Sequence, residues 1–319
     1  PFYLFVPRNE AALRIYDRYP SVKDVLPLNG VGMTTARDEF VIDLEKHKLL
    51  NRIRLLKHSH FSDDELHRFF SIRRKKGWSM RRAWTMLQAM TDHDIERLIV
   101  PVTYRPFDVR WIFYHNSLVW RTVGRIMRHM LEAENVALIT ARSNKSPTMD
   151  HFFCSERIVE TKCGESTVQS YAFPLYLYPD TGRRDLFAHH EPTDRLPNLN
   201  PKVVEALVAA YGRTPLPEEI FHYIYAVLYA PTYREKYSEF LRIDFPRIPF
   251  TADRKVFKAL ADLGERLAAL HLLKSPELDP PATRFEGKGD GLVAKARSQG
   301  FRYESGEDRV YINKSQYFS

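Results

Sequence analysis

Cysteine is scarce in this chain, whose 319 residues contain two, Cys154 and Cys163. So few thiols exclude a disulfide-stapled secreted scaffold and suit a reducing compartment, and we therefore expect a cytoplasmic protein. No apolar stretch approaches the roughly 20 residues that a membrane-spanning helix needs. The apolar run at residues 2–6 is too short for a signal peptide and has no basic segment before it.

The two ends of the chain also lack features of a complete protein. The first residue is Pro1 rather than methionine, and the sequence stops at Ser319 without a closing structural element. We therefore expect a fragment of a longer polypeptide, truncated at its C-terminal end.

Catalytic motifs are missing as well. A DNA amino-methyltransferase needs Asp or Asn, two prolines and an aromatic residue after a strand, but residues 279–282 read Asp-Pro-Pro-Ala after a predicted helix, which indicates a linker. The Glu-Gly-Lys at 286–288 supplies half of a metal-dependent nuclease motif, without an aspartate at a suitable spacing. His151, Cys154 and Cys163 form an incomplete zinc set. We predict no catalytic, cofactor-binding or metal-binding residue in this chain.

Positive charge, in contrast, is abundant. Lys and Arg number 48 against 40 Asp and Glu, a net charge of +8, which favours polyanionic partners. Residues 104–130 hold five arginines and six aromatic residues, with Asp108 as the only acidic one. Arginine forks match phosphates and guanine edges, and aromatic rings stack on bases or fill a core. Arg121, Arg125 and Arg128 have the spacing that lines up side chains on one helix face.

Two further stretches have alternative interpretations. Residues 30–38, Gly-Val-Gly-Met-Thr-Thr-Ala-Arg-Asp, are either a plain turn or a segment whose amides and hydroxyls contact a phosphate. They match neither the dinucleotide fingerprint nor a P-loop. Residues 73–82 contain six basic residues and are either a solvated loop or a phosphate-backbone contact.

Periodicity predicts an α+β fold with a mixed, strand-rich central core, a helical N-terminal part and a helical layer near the C-terminus. We expect a strand at 1–6, an extended segment at 30–42, a strand-rich region at 99–178 and a strand pair at 300–304 and 309–312. We expect helices at 9–19, within 44–90 (one of them opened by Asp63), and at 123–131, 201–211, 217–229, 232–240 and 253–273.

Six sequence blocks, taken in order, resemble the C-terminal specificity region of type ISP restriction-modification enzymes. The block at 30–40 is similar to the Gly-Ile-x-Thr-x-Arg-Asp-x-Phe that starts target recognition in related adenine methyltransferases. The block at 104–111, Tyr-Arg-Pro-Phe-Asp-Val-Arg-Trp, is similar to the family's Tyr-Arg-Pro-Phe-Asp-x-Arg. The other four blocks are 1–7, 173–179, 220–225 and 243–249.

The resemblance implies a module that recognises a short duplex DNA site for an enzyme that methylates adenine. S-adenosylmethionine, ATP and magnesium would then serve the parent enzyme rather than this fragment. It also implies three segments, with the end of the methyltransferase region and a linker at 1–29, the target-recognition core at 30–200, and the helical layer with its strand pair at 201–319. The partners expected are duplex DNA and the upstream methyltransferase domain of the same polypeptide.

Nine basic residues are our candidates for DNA contact, without assignment to bases or phosphates. They are Arg37, Arg105, Arg110, Arg121, Arg125, Arg128, Arg142, Lys145 and Lys162. Two alternatives remain open at this point, a metal-dependent nuclease that uses Glu286 and a protein-interaction domain that docks through residues 201–273.

Overall fold

A computed structural model describes residues 9–59, 62–70, 78–144, 151–165, 167–179, 195–294 and 300–319. Two compact units divide the chain, Pro1–Leu272 and Leu273–Ser319. The strand expected at residues 1–6, the basic residues 73–76 and Lys145 lie outside the described residues.

The first unit is a mixed α+β fold. Its described helices are α1 (Glu10–Tyr16), α2 (Val22–Val25), α3 (Asp38–Val41), α4 (Lys46–His58), α5 (Asp63–Phe69), α6 (Met80–Gln88), α7 (Asp92–Arg97), α8 (Gly124–Met127), α9 (Pro201–Tyr211), α10 (Pro217–Tyr229), α11 (Pro231–Leu241) and α12 (Arg254–His271). A 3-10 turn at Arg128–Met130 continues α8.

Ten short strands are found among the described residues of this unit. They are β1 (Gly30–Val31), β2 (Ile42–Asp43), β3 (Ile99–Arg105), β4 (Asp108–Phe113), β5 (Ala137–Ala141), β6 (Phe153–Ser155), β7 (Ile158–Val159), β8 (Ser170–Pro174), β9 (Tyr176–Leu177) and β10 (Leu196–Pro197). One four-stranded sheet has the order β2-β4-β3-β7 and a second has the order β1-β8-β5-β6, while β9 and β10 pair separately. Only the β3–β7 pair is parallel among the pairings within these sheets.

The second sheet separates two hydrophobic cores. Successive side chains of a strand point to opposite faces, and the residues of β5 alternate accordingly. Ala137 and Ile139 join the core formed with α3, α4, α6–α8 and the first sheet, whereas Leu138 joins the core formed with α1, α2 and α9–α12. Every residue of β5 is buried, which explains why its sequence does not alternate between apolar and charged residues and has Thr140 as its one polar residue.

Local signals in the sequence fix the ends of the C-terminal helices. Asn200 caps α9 and Pro201 occupies its first turn, while Asp253 accepts hydrogen bonds from the first amides of α12. Gly264 allows α12 to approach α10, because a Cβ there would lie 1.8 Å from the carbonyl oxygen of His222. The helical layer predicted for this region is confirmed.

The second unit is a small antiparallel sheet with the order β11-β14-β13-β12. Its strands are β11 (Phe285–Glu286), β12 (Arg302–Glu304), β13 (Arg309–Tyr311) and β14 (Tyr317–Phe318). The expected pair at 300–312 is therefore part of a four-stranded sheet. The compact units divide after Leu272, so residues 201–319 contain parts of both, and the segmentation at 29 and 200 stays a prediction about function.

The mixed α+β class and most elements are confirmed, including the helix that begins at Asp63. One expectation is wrong: the segment from 30 to 42 is not continuously extended, since Asp38–Val41 is a turn of helix. Phe40 and Val41 are both buried in the core. One helical turn allows adjacent side chains to be buried together, whereas in a strand they would point to opposite faces.

Candidate nucleic-acid interface

The glycine-containing block at 30–38 is a packed connector between the two sheets. A Cβ on Gly30 would lie 2.8 Å from Cγ1 of Ile126 in α8, and one on Gly32 would lie 2.6 Å from the backbone oxygen of Glu160. Backbone amides of the block donate to internal carbonyls, with Gly32 N–H bonding Ser170 and Met33 N–H bonding Val159. These amides are used within the protein, so the glycines serve close packing and not a phosphate cradle.

Three extended segments lie side by side at this connector. The Thr161 N–H donates to the oxygen of Met33, and Thr34 and Arg121 exchange both of their backbone hydrogen bonds. Residues 33–34 therefore run between the 160–161 segment and the 120–121 segment. Basic side chains that are far apart in sequence, on Arg121 and Lys162, flank the same piece of backbone.

Tyr104 joins the block at 30–38 to the block at 104–111. Its hydroxyl donates a 2.7 Å hydrogen bond to Asp38, whose carboxylate also accepts a hydrogen bond from Thr35. Guanidinium carbons of Arg105 and Arg110 lie 4.0 and 4.1 Å from the centre of the Tyr104 ring. Burial, followed by the hydrogen bond to Asp38, raises the pKa of Tyr104 to about 12. Tyr104 stays a neutral donor at physiological pH.

Carboxylates hold the two arginines beside Tyr104. Arg110 makes a forked contact with Asp108, with its Nη2 2.7 Å from Oδ2, and this hydrogen bonding raises the pKa of Arg110. Arg105 lies 2.8 Å from the largely buried carboxylate of Glu160. Burial raises the pKa of Glu160, against the opposing effects of the Lys162 amide and Arg105. Both guanidiniums are fixed in position but stay about one third exposed.

Three of the nine candidates are cations without a carboxylate partner in the part of the chain that the structure describes: Arg121, Arg125 and Lys162. Arg121 and Arg125 are exposed, and Lys162 is half-buried. The expectation that one helix aligns Arg121 with Arg125 and Arg128 is wrong, since α8 begins at Gly124 after Val123, whose φ is 52°. Arg121 instead extends from the segment paired with Thr34.

Other candidates have intramolecular partners or cannot be placed. Arg128 lies 3.4 Å from Glu132, and Arg142 lies 3.2 Å from Asp244 with both side chains well exposed. Lys145 falls outside the described residues, so the structure says nothing about it.

Arg37 lies in the interior and is only 7% exposed. Its Nη1 donates to the Leu118 oxygen at 2.6 Å, and its guanidinium carbon stacks 3.7 Å from the Trp78 ring centre. Burial lowers the pKa of Arg37 to about 10, so the side chain stays charged. This position does not support a DNA contact and gives Arg37 a packing role between α3 and the 117–118 turn.

The nuclease and zinc alternatives gain no support from the described residues. No group of three or more His, Cys, Asp and Glu side chains there is arranged to hold a metal ion. Burial raises the pKa of both Cys154 and Cys163 to about 12, so neither is a reactive thiolate at neutral pH. Glu286 accepts hydrogen bonds from Tyr317 and Ser319 on the second unit's own sheet.

The helical layer, the basis of the protein-interaction alternative, uses its apolar face internally. The buried residues of α10 and α12 belong to the core shared with α1 and with one face of the second sheet. No helix in the described ranges is long and apolar enough to cross a bilayer.

Sequence reasoning missed the carboxylates that neutralise the candidate arginines. Glu160 is 55 residues from Arg105, and Asp244 is 102 residues from Arg142. Asp38 was visible as part of its block, but its link to Tyr104 was not. A short sequence pattern does not predict such ion pairs, because strand order brings together residues that are far apart in the sequence.

Comparisons with known proteins agree with this architecture. The family model described as "Type ISP C-terminal specificity domain" matches residues 24–319. Three solved structures have similar folds. A DrdV–DNA complex has a TM-score of 0.63 and 23% identity, and the match covers 92% of this chain and 29% of that one. The type ISP enzyme LlaBIII bound to DNA has a TM-score of 0.61 and 16% identity over 95% of this chain and 20% of that one, and a nuclease-deletion mutant of the type ISP enzyme LlaGI with a DNA substrate mimic has a TM-score of 0.59 and 17% identity over 96% and 23%. The chain spans between a fifth and a third of their lengths. No curated protein matches it significantly.

Proposed function

This chain belongs to the family of Type ISP C-terminal specificity domains, and we propose that it is the module with which a longer restriction-modification enzyme recognises duplex DNA. The family match over residues 24–319 is the observation that carries the proposal. Similar folds in enzymes solved with DNA or a DNA mimic support it further.

The unpaired cations are the best candidates for contacting the DNA backbone. Within the described residues Arg121, Arg125 and Lys162 have no carboxylate partner, so each can neutralise a phosphate and release a counterion without breaking an ion pair seen there. Arg121 and Lys162 belong to the segments that pair with residues 33–34, and Arg125 lies on α8, which packs against Gly30 at the start of the same connector. They form the core of the proposed interface.

The paired arginines are secondary candidates. Arg105 and Arg110 are held rigidly and keep exposed surface, which suits pre-organised hydrogen bonding to a base edge or a phosphate. The exposed Arg142–Asp244 pair is inexpensive to break, since such pairs contribute about 0–1 kcal/mol. Arg128 and Lys145 stay predictions.

In this proposal the remainder of the enzyme performs the chemistry. A methyltransferase domain would take its methyl group from S-adenosylmethionine and act on an adenine flipped out of the duplex. ATP and magnesium would serve another part of the same enzyme. This module would set the position of the duplex, and so decide which adenine reaches the methyltransferase.

Salt-dependent binding to a fluorescein-labelled duplex tests the proposal. Wild-type affinity should fall steeply with salt, and the triple variant Arg121→Gln, Arg125→Gln, Lys162→Gln should reduce the magnitude of the log–log slope by about 2.7, since each phosphate contact contributes about 0.9. A matched control removes three exposed charges on α2, α9 and α12, none of which has an ion-pair partner in the part of the chain that the structure describes, through Lys23→Gln, Lys202→Gln and Lys255→Gln. Absence of salt-sensitive duplex binding by the wild type would refute the function, and equal slopes for the two triple variants would refute the interface.

A further inference from the structure

The tip of the β3–β4 hairpin carries an aromatic residue in a backbone conformation that does not suit it. Arg105 pairs with Asp108 across the turn, Pro106 follows Arg105, and Phe107 has a φ of +61°. Proline followed by a residue of positive φ is the pattern of a type II turn, in which glycine or asparagine normally takes the second central position. A bulky side chain there is strained, so its presence indicates a role that glycine could not perform.

Packing explains the orientation of the Phe107 ring. The ring meets Phe153 of β6 edge to face at 5.3 Å between centroids, and it meets His271 at the end of α12 at 6.0 Å. These contacts hold the ring in one orientation at the tip of the hairpin. They leave Phe107 55% exposed, so more than half of its surface is available to a partner.

Basic residues border the turn that carries this exposed ring. Arg105 and Arg110 flank the turn, and the backbone amide of Lys162 bonds the same Glu160 carboxylate that pairs with Arg105. Arg105 and Arg110 neutralise the two nearby carboxylates, Glu160 and Asp108, while Lys162 has no carboxylate partner among the described residues. An exposed apolar ring on a turn bordered by basic residues suits duplex DNA, a polyanion whose stacked bases have flat apolar faces.

We propose that Phe107 is a base-contacting wedge, whose ring stacks on a base at a step of the duplex that opens during recognition. This inference rests on the proposed function and adds a residue that touches bases rather than phosphates. A rigid ring loses little conformational entropy on binding, and the contacts with Phe153 and His271 have already fixed its direction. Because the ring is uncharged, its contribution to affinity does not depend on counterion release.

Phe107→Gly distinguishes a base-contacting role of Phe107 from a role in packing the hairpin alone. Glycine suits the positive φ, so the turn is retained and the relief of strain offsets the lost ring contacts. We expect the full chain to keep the wild-type unfolding midpoint in urea. Its affinity for a duplex enriched from a randomised library by the wild-type chain should fall about tenfold, with the salt slope unchanged.

Two further substitutions keep the test decisive if the glycine variant is destabilised. Phe107→Trp retains a flat ring and should bind as the wild type does, whereas Phe107→Leu retains apolar bulk without a stacking face and should lose about as much affinity as Phe107→Gly. The same duplex carrying 2-aminopurine at successive positions should gain fluorescence with the wild type and not with Phe107→Gly, because an opened step unstacks the probe.

The outcomes distinguish this inference from the proposed function. Wild-type binding that Phe107→Gly and Phe107→Leu leave unchanged overturns the wedge and keeps the DNA-recognition proposal. If Phe107→Gly loses affinity but Phe107→Leu binds as the wild type does, Phe107 only stabilises the hairpin and does not contact a base. Failure of the wild-type chain to bind any duplex overturns both proposals.

Discussion

The Tyr104 hydroxyl donates a hydrogen bond to Asp38 at 2.7 Å, across 66 residues of sequence. This contact links the hairpin that carries Arg105 and Arg110 to the connector that pairs with the Arg121 segment. The two most distinctive sequence blocks of the chain are therefore parts of one polar network. Its geometry keeps the charged side chains of the proposed interface at fixed positions relative to each other.

Removing the Tyr104 hydroxyl should destabilise the first unit. In Tyr104→Phe the partly buried Asp38 carboxylate loses a donor, and a hydrogen bond to a charged group contributes about 1.5–3 kcal/mol. Urea unfolding should show that the free energy of unfolding falls by about this amount. The control is Tyr171→Phe, since the Tyr171 hydroxyl has no hydrogen-bond partner among the described residues and its removal should change stability by less than about 0.5 kcal/mol. Equal effects of the two substitutions would contradict the network.

Gly32 should not tolerate a methyl group. Its Cβ would lie 2.6 Å from the oxygen of Glu160 and 2.7 Å from the nitrogen of Thr161, both backbone atoms that cannot move independently. We expect Gly32→Ala to lower the free energy of unfolding by about 1–3 kcal/mol, the usual cost of overpacking. Thermal or urea unfolding measures the loss.

Gly124 offers the matched control for that substitution. No atom lies within 4 Å of the position where its Cβ would be, and it begins α8. Gly124→Ala should be neutral or stabilise the protein by up to about 1 kcal/mol, because alanine has the higher helix propensity. If Gly124→Ala were destabilised and Gly32→Ala were as stable as the wild type, the close packing at Gly32 and the open space at Gly124 would both be contradicted.

His129 should make the protein sensitive to mild acid. Burial, assisted by Arg128, lowers the pKa of His129 to about 4, and its Nδ1 accepts the backbone N–H of Tyr178. A group whose pKa is depressed in the folded state stabilises the protein above its unfolded pKa of about 6.5, and this contribution is lost as pH falls towards 4. The loss due to His129 should reach about 2 kcal/mol at about pH 5.

Substitution by asparagine isolates that titration. In His129→Asn the amide oxygen can accept the Tyr178 N–H but does not titrate. Urea unfolding between about pH 7 and pH 5 should show a smaller loss of stability for the variant than for the wild type, by about the same 2 kcal/mol. Parallel pH profiles for the two proteins would show that His129 does not govern this pH dependence.

Local chemistry in the sequence determined most of the secondary structure. Pro201 and Pro217 begin the helices predicted there, Asp253 caps the last long helix, and the apolar run at 136–139 becomes a strand buried on both faces. Such features depend on residues within a few positions of each other. The six ordered sequence blocks also identified the family, because each block is a short local motif that can be matched without knowing its tertiary contacts.

Tertiary structure alone decided which basic residues are free. Composition and spacing put Arg37, Arg105 and Arg121 in one candidate class, yet Arg37 is buried on Trp78, Arg105 is paired with Glu160, and Arg121, beside Thr34, has no carboxylate partner among the described residues. The physical reason is that an ion pair or a burial site depends on strand order and helix packing, which bring together residues tens of positions apart. The sequence by itself determined that the chain is basic and belongs to a specificity-domain family, and the fold decided which of the described basic side chains are already paired or buried.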